Sequence, residues 1–334
     1  MADRFDLIAL GRTGVDLYPE QIGVPLPAVR TFAKFLGGSA TNVAVAAARY
    51  GRRTAIVTRT GADPFGEYVH QALREFTVDD RWVTPVPDYP TPVTFCEVFP
   101  PDHFPIWFYR WPKAPDLEIR TEELDLDAIR AAHVVWTTGT GLSAEPSRSA
   151  TLAALAARGR TGHTVHDLDH RPVFWSAPAE ATRWARAALA HATVAVGNAE
   201  EVEVAVGTRD PDAAADALLE LGVSLAVVKQ GPRGVLGRTA SESVVLPPVP
   251  VDVVNGLGAG DAFGGALCHG LLAGWPLERV LRFANAAGAI VAGRLACSAA
   301  MPYESEVDAV LAGTPATTVA GTVPAGTSEP ERAR

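Results

Sequence analysis

The residues best placed by type and spacing to do chemistry are Gly258-Ala259-Gly260-Asp261, with Gly256 before them and a helical Ala-Phe-Gly-Gly-Ala-Leu run after. Small residues at a helix N-terminus let backbone N–H groups close on an anion, and the helix dipole favours negative charge there. Beside such an anion, Asp261 could take the proton of an attacking hydroxyl while the amides hold the charge of a phosphoryl group in transfer. An aspartate that only stabilises its own helix start is the competing reading, and the glycine pattern alone does not separate the two. The segment is not a Walker A loop, because the chain has no GKS or GKT. Nor is it a dinucleotide fingerprint, because no GxGxxG follows the first strand.

Two other loops carry weaker signals. Lys229-Gln-Gly231-Pro-Arg-Gly234 follows the apolar run Leu225 to Val228. A loop at the carboxyl end of a parallel strand is where α/β proteins bind ligands, and its glycines would let a nucleotide approach; a plain turn is the alternative. Asn198-Ala-Glu-Glu201 follows another strand end. Asn198 and Glu201 could order magnesium and its waters near phosphates, and a capping Asn with Glu in the first helical turn is the alternative. The eight histidines form no HExxH motif, so a zinc triad is not indicated, and Cys297 reads as small packing.

These loops need a scaffold, and the apolar pattern supplies one. A strand at Phe5 to Leu10 ends at Gly11, and a second is expected at Val15 to Tyr18. Phe35-Leu-Gly37-Gly38-Ser-Ala-Thr-Asn42 then opens an Ala-rich helix. Strand-like and helix-like segments alternate from Thr54 to Val228, which predicts a parallel sheet covered by helices on both faces. Two places break the alternation. Thr91 to Trp111 reads as a hairpin around Pro100-Pro101-Asp102-His103 that could join Val15 to Ile22 in a small separate sheet, and Gly234 to Val251 holds short β segments. Helices are predicted at Ala262 to Ala273 and Leu277 to Leu295, and a disordered tail after Gly313.

Composition bounds the setting. The chain has 334 residues, enough for a large core, and carries 29 basic and 38 acidic side chains for a net charge of -9. Without a basic block, that balance argues against a nucleic-acid or anionic-membrane partner. Three scattered cysteines, no CxxC pair and no signal-like start lead to the expectation of a reducing, cytoplasmic location.

Taken together and in order, Asp16 after Gly11, Gly37-Gly38 with Asn42, Asn198 with Glu201, Lys229 to Gly234, and GAGD at 258 to 261 with Asn285 downstream resemble the ribokinase-like (PfkB) carbohydrate kinases over roughly Phe5 to Met301. The resemblance implies a three-layer α/β/α sandwich with a mostly parallel sheet over residues 1 to 312, and a small β lid from about 15–35 and 91–113. It implies ATP and magnesium, with Asp261 as base and Gly258, Ala259 and Gly260 as anion hole. Asp16, Gly37, Gly38 and Asn42 would bind substrate hydroxyls. Asn198 and Glu201 would serve the magnesium-phosphate region, and Lys229, Gly231, Gly234 and Asn285 would flank the nucleotide. Where many members carry an Asp that helps hold a monovalent cation, this chain has Asn255, so dependence on potassium is not implied.

Several strings resemble the subgroup that phosphorylates 5-dehydro-2-deoxygluconate in inositol breakdown: Gly11-Arg-Thr-Gly-Val-Asp-Leu-Tyr18, Phe108-Tyr-Arg110, Asp167-Leu-Asp-His-Arg-Pro-Val-Phe-Trp175 and Ala296-Cys-Ser-Ala-Ala-Met-Pro302. Such a substrate is an acid, and Arg110 on the hairpin and Arg171 at a strand end are the candidate partners for its carboxylate. Stacking of Arg110 on Tyr109 and Trp111, and an ion pair of Arg171 with Asp167 or Asp169, are the alternatives. Kinases of 2-keto-3-deoxygluconate or fructose, and a non-catalytic sugar- or nucleotide-binding regulator, are the rival functions. The aromatic hairpin predicts a homodimer through the lid.

Overall fold

The computed structural model describes residues 4–313, so the tail expected from 313 to 334 lies almost wholly outside the described residues. The strands are β1 (Leu7–Leu10), β2 (Gly14–Pro19), β3 (Phe32–Gly37), β4 (Thr54–Gly61), β5 (Val78–Val86), β6 (Val93–Cys96) and β7 (Ile106–Tyr109). After them come β8 (Val134–Thr138), β9 (His163–Asp167), β10 (Val194–Asn198), β11 (Leu225–Lys229), β12 (Val235–Arg238) and β13 (Ser243–Leu246). The helices are α1 (Ser39–Arg49), α2 (Pro64–Glu75), α3 (Leu126–Ala131), α4 (Ser147–Arg158), α5 (Pro178–Leu189), α6 (Ala199–Val206), α7 (Pro211–Glu220), α8 (Ala259–Leu272), α9 (Leu277–Ala292) and α10 (Glu304–Leu311).

Nine strands form one sheet in the order β13-β12-β11-β10-β9-β8-β1-β4-β5. All neighbours from β5 to β11 are parallel, and β12 and β13 continue antiparallel. β1 and β8 are buried along their whole length, which is why they read as unbroken apolar runs and not as alternation. On one face, α1 packs on α8, and α8 on α9. Ala, Ser and Thr along α1 leave only Arg49 outside the buried set, so the helix backbone can lie close to its neighbours.

The sequence reading passes over β5, whose Val-Asp-Asp-Arg-Trp-Val-Thr-Pro-Val run shows no apolar pattern. The reason is its place at the sheet edge, where half of its surface meets water and charges discourage further pairing. α8 starts at Ala259 and not Ala262, which puts Asp261 in its first turn.

Four strands form a second sheet in the order β3-β2-β6-β7. The predicted hairpin is present as β6 and β7, antiparallel, with β6 lying parallel to β2. Tyr18, Cys96 and Val98 from this small sheet pack with Cys297, Leu257 and Leu295, joining it to the loops that flank α8. No helix among the described residues is long and apolar enough to cross a membrane.

Candidate active site

The carboxyl ends of the parallel strands and the N-termini of α1 and α8 meet at one place. Register sets Asn198 beside Lys229 and Thr138 beside Asp167, so four adjacent strand ends deliver polar side chains together. Gly258, at φ +80, turns the chain into α8 in the left-handed region, where a side chain is strained. A Cβ there would also lie 2.6 Å from Cys297 Sγ. Lys229 Nζ reaches over the helix start, 3.2 Å from where a side chain at Gly260 would begin.

Asp261 accepts a 2.7 Å hydrogen bond from Asn42 Nδ2, and Ser298 Oγ lies 2.5 Å from Asn42 Oδ1. Burial lifts the Asp261 carboxyl to about 6, against the Asn42 hydrogen bond and the charges of Arg12 and Lys229. Asp16, on β2 and 8% exposed, is pushed up to about 7 by burial, partly opposed by Arg12. A side chain on Gly37 would collide with the Asp16 carboxylate, which explains the glycine. Gly38 caps α1 behind it.

Asn198 caps α6, accepting from the backbone N–H of Glu200 and Glu201, while Glu201 accepts from the N–H of Asn198 at 2.7 Å. The capping geometry is therefore present, and Glu201 is buried beside Lys229. Burial alone would lower Lys229, but Asp167, Glu201 and Asp261 together hold its ammonium above the usual lysine range. Gly231 and Gly234 bound the short turn between β11 and β12. Gly234 backs onto Leu246 and Pro247, and Asn285 Nδ2 donates to the Pro247 carbonyl at 2.7 Å, so these residues belong to one loop cluster. Among the described residues no group of three or more His, Cys, Asp or Glu is placed to hold a metal. Glu201, Asn198 and Asp167 therefore fit a magnesium ion only if phosphates and water supply most of its ligands.

Arg171 pairs with Asp169 at 3.2 Å, the ion-pair alternative of the sequence reading, and its Nε is buried without a partner. Arg110 donates to both Asp116 oxygens, at 2.9 and 2.7 Å, and stacks on Phe174 and not on its own neighbours. Asn255 is fully buried, donates to the Leu295 carbonyl at 2.6 Å and accepts from the Leu257 N–H. Lys34 lies on the Tyr68 ring.

Sequence reasoning did not place Arg12, Asp167, Asp169 or Ser298 among the site residues, and named the two aspartates only as ion-pair partners for Arg171. Arg12 directly follows Gly11 at the end of β1, and Asp167 and Asp169 straddle the end of β9, so position at a strand end was the available signal. Asp169 has φ +26, uncommon for a non-glycine residue, and despite burial is held low by Arg12 and Arg171. Ser298 had no signal, because its contact with Asn42 joins residues far apart in the chain.

Known proteins resemble this chain in sequence and in fold. A protein named 5-dehydro-2-deoxygluconokinase from Shouchella clausii is 32% identical over 313 residues, covering 92% of this chain and 96% of that one. A protein of the same name from Geobacillus thermodenitrificans is 31% identical, covering 91% and 92%. Among solved structures, a fructokinase double mutant from Vibrio cholerae, described with fructose, ADP and potassium bound, superposes with a TM-score of 0.80 at 27% identity, covering 93% of this chain and 100% of that one. A PfkB protein from Polaromonas gives 0.81 at 23% identity over 91% and 99%, a likeness of fold. The pfkB family carbohydrate kinase profile matches residues 4–304. With the small sheet set against the strand ends and an aspartate in the first turn of α8, this chain belongs to the pfkB family of carbohydrate kinases.

Proposed function

We propose that the enzyme transfers the terminal phosphoryl group of ATP to the terminal hydroxyl of a sugar acid, with 5-dehydro-2-deoxygluconate as its substrate. The observation that carries this reading is Asp261, held by Asn42 at 2.7 Å in the first turn of α8 with its carboxyl lifted to about 6. At that value it is ionised at neutral pH yet basic enough to accept a proton. The hydroxyl proton passes to Asp261, the new O–P bond forms, and the bond between the γ-phosphorus and ADP breaks. The N–H groups of Gly258, Ala259 and Gly260 face the developing charge, and Lys229 over the same helix start adds a positive one. Magnesium, when bound near Asn198 and Glu201, neutralises phosphate charge. The nucleotide lies along Lys229, Gly231 and Gly234, with Asn285 bracing that loop.

The small sheet, residues 15–35 and 91–113 in our assignment, acts as the lid of a kinase unit spanning residues 1–312; Asp16, Gly37, Gly38 and Asn42 orient the hydroxyls beneath it. Trp107, Tyr109 and Trp111 are 53%, 64% and 85% exposed, an apolar edge that a second copy of the lid would cover. Three buried free cysteines suit a cytoplasmic enzyme.

Asp261→Asn tests the reading. Turnover in a coupled ATP-consumption assay is expected to fall about 1,000-fold while ATP affinity changes little. Retained turnover would remove Asp261 as base, and binding without turnover by the unaltered enzyme across a panel of sugar acids would favour a regulator.

A further inference from the structure

Resting on the sugar-acid reading, we propose that Arg12, together with Arg171 and not with the lid's Arg110, recognises the substrate carboxylate. Arg12 is 7% exposed at the end of β1. Its Nε donates to Thr140 Oγ1 at 3.1 Å, and its Nη2 lies 3.0 Å from Ser39 Oγ and 3.2 Å from Asp169 Oδ2. Among the described residues its Nη1 has no acceptor. Asp169 meets Arg12 through one oxygen and Arg171 through the other, each at 3.2 Å. Arg171 Nε is a buried donor without a partner, and Asp167, Glu201 and Asp261 act on Arg171 only at a distance. A buried donor left without an acceptor is costly, so an arrangement that keeps one beside a second donor without an acceptor implies an occupant. One carboxylate, with two acceptor oxygens, fits the two donors. Asp16 and Asp261 also feel Arg12, but neither makes an ion pair with it.

The lid arginine differs. Asp116, 2% exposed, takes both of its oxygens to Arg110 Nη2, so that charge is matched one to one. Phe174 stands between the two systems, with Arg110 5.2 Å and Arg12 5.9 Å from its centroid, and Phe108 meets it edge-on at 5.0 Å. Phe108 and Phe174 thus set aromatic rings 5.7 and 5.9 Å from the Arg12 guanidinium.

The test compares 5-dehydro-2-deoxygluconate with its uncharged primary amide. The unaltered enzyme is expected to favour the acid, and Arg12→Met to raise KM for the acid about 100-fold, far more than KM for the amide, with any change in kcat shared by the two substrates. Arg12→Lys recovers part of the preference, Arg171→Met shares the loss, and Arg110→Met weakens it far less. A merely structural arginine would instead damage both substrates alike, and that result, or an intact preference in Arg12→Met, overturns the proposal. Should Arg12→Met not fold, Arg12→Lys and Arg171→Met carry the same comparison. If the unaltered enzyme itself shows no preference for the acid, the sugar-acid reading fails first and this assignment with it; an acid preference that survives both arginine changes sinks this assignment alone.

Discussion

At the strand ends of the large sheet, Asp167, Asp169 and Asp261 gather with Arg12, Arg171 and Lys229, and Arg12 Nη1 and Arg171 Nε have no partner among the described residues. Beside the small sheet, two of the charges have partners: Arg110 pairs with Asp116 from the segment that follows the sheet, and Glu97 accepts from the Leu26 N–H and Trp107 Nε1. What the small sheet leaves open is apolar, along the outer edge of β7. A region with unmet polar groups is built to take a ligand, whereas one with unmet apolar area is built to take a surface. Asp16 is the exception, a small-sheet residue whose carboxyl joins the strand-end group.

The sharpest way to break this contrast is at the point where the two regions touch. Gly37→Ala drives a methyl group into the Asp16 carboxylate, and kcat/KM is expected to fall at least about 100-fold, since a small misplacement of a positioning group costs that much. Steady-state kinetics check it, with an unchanged melting temperature showing that the loss is local.

Next is pH. With Asp261 in the proposed role of base, which it fills only when ionised, and its carboxyl lifted to about 6, kcat/KM is expected to drop about tenfold per pH unit below that value. The stability effect has the opposite sign. A carboxyl raised above its unfolded value costs the native state free energy that builds as pH rises from the unfolded value of 3.8 and is complete above the folded value of about 6, so Asp261→Asn is expected to raise Tm by a few degrees at pH 8 and little at pH 4. Scanning calorimetry at both values decides it.

On the lid side, Trp107→Ser with Trp111→Ser is expected to turn a dimer into a monomer by light scattering at micromolar concentration, with kcat altered only severalfold. The smallest effect concerns potassium. Asn255 already ties its loop to the Leu295 carbonyl and the Leu257 N–H, so replacing potassium by choline is expected to change kcat by less than about twofold.

Much of this could be read along the chain. Asp261 and its glycines were legible because a loop that meets an anion needs small residues in succession at a helix start. The alternation from β4 to β11 was legible because both faces of that sheet are covered. β5 was not, because an edge strand lacks that pattern, and β3 showed only as part of the glycine string.

By itself, then, the sequence determined the family, the layered α/β architecture and the glycine loop that opens α8, since each is written in local composition and in the order of local motifs. Only the tertiary structure decided which charges compensate which. Arg12 and Asp169 come from the ends of different strands, and Ser298 reaches Asn42 across the fold. Sequence spacing carries no information about such contacts, because strand order and register, and not proximity along the chain, bring them together.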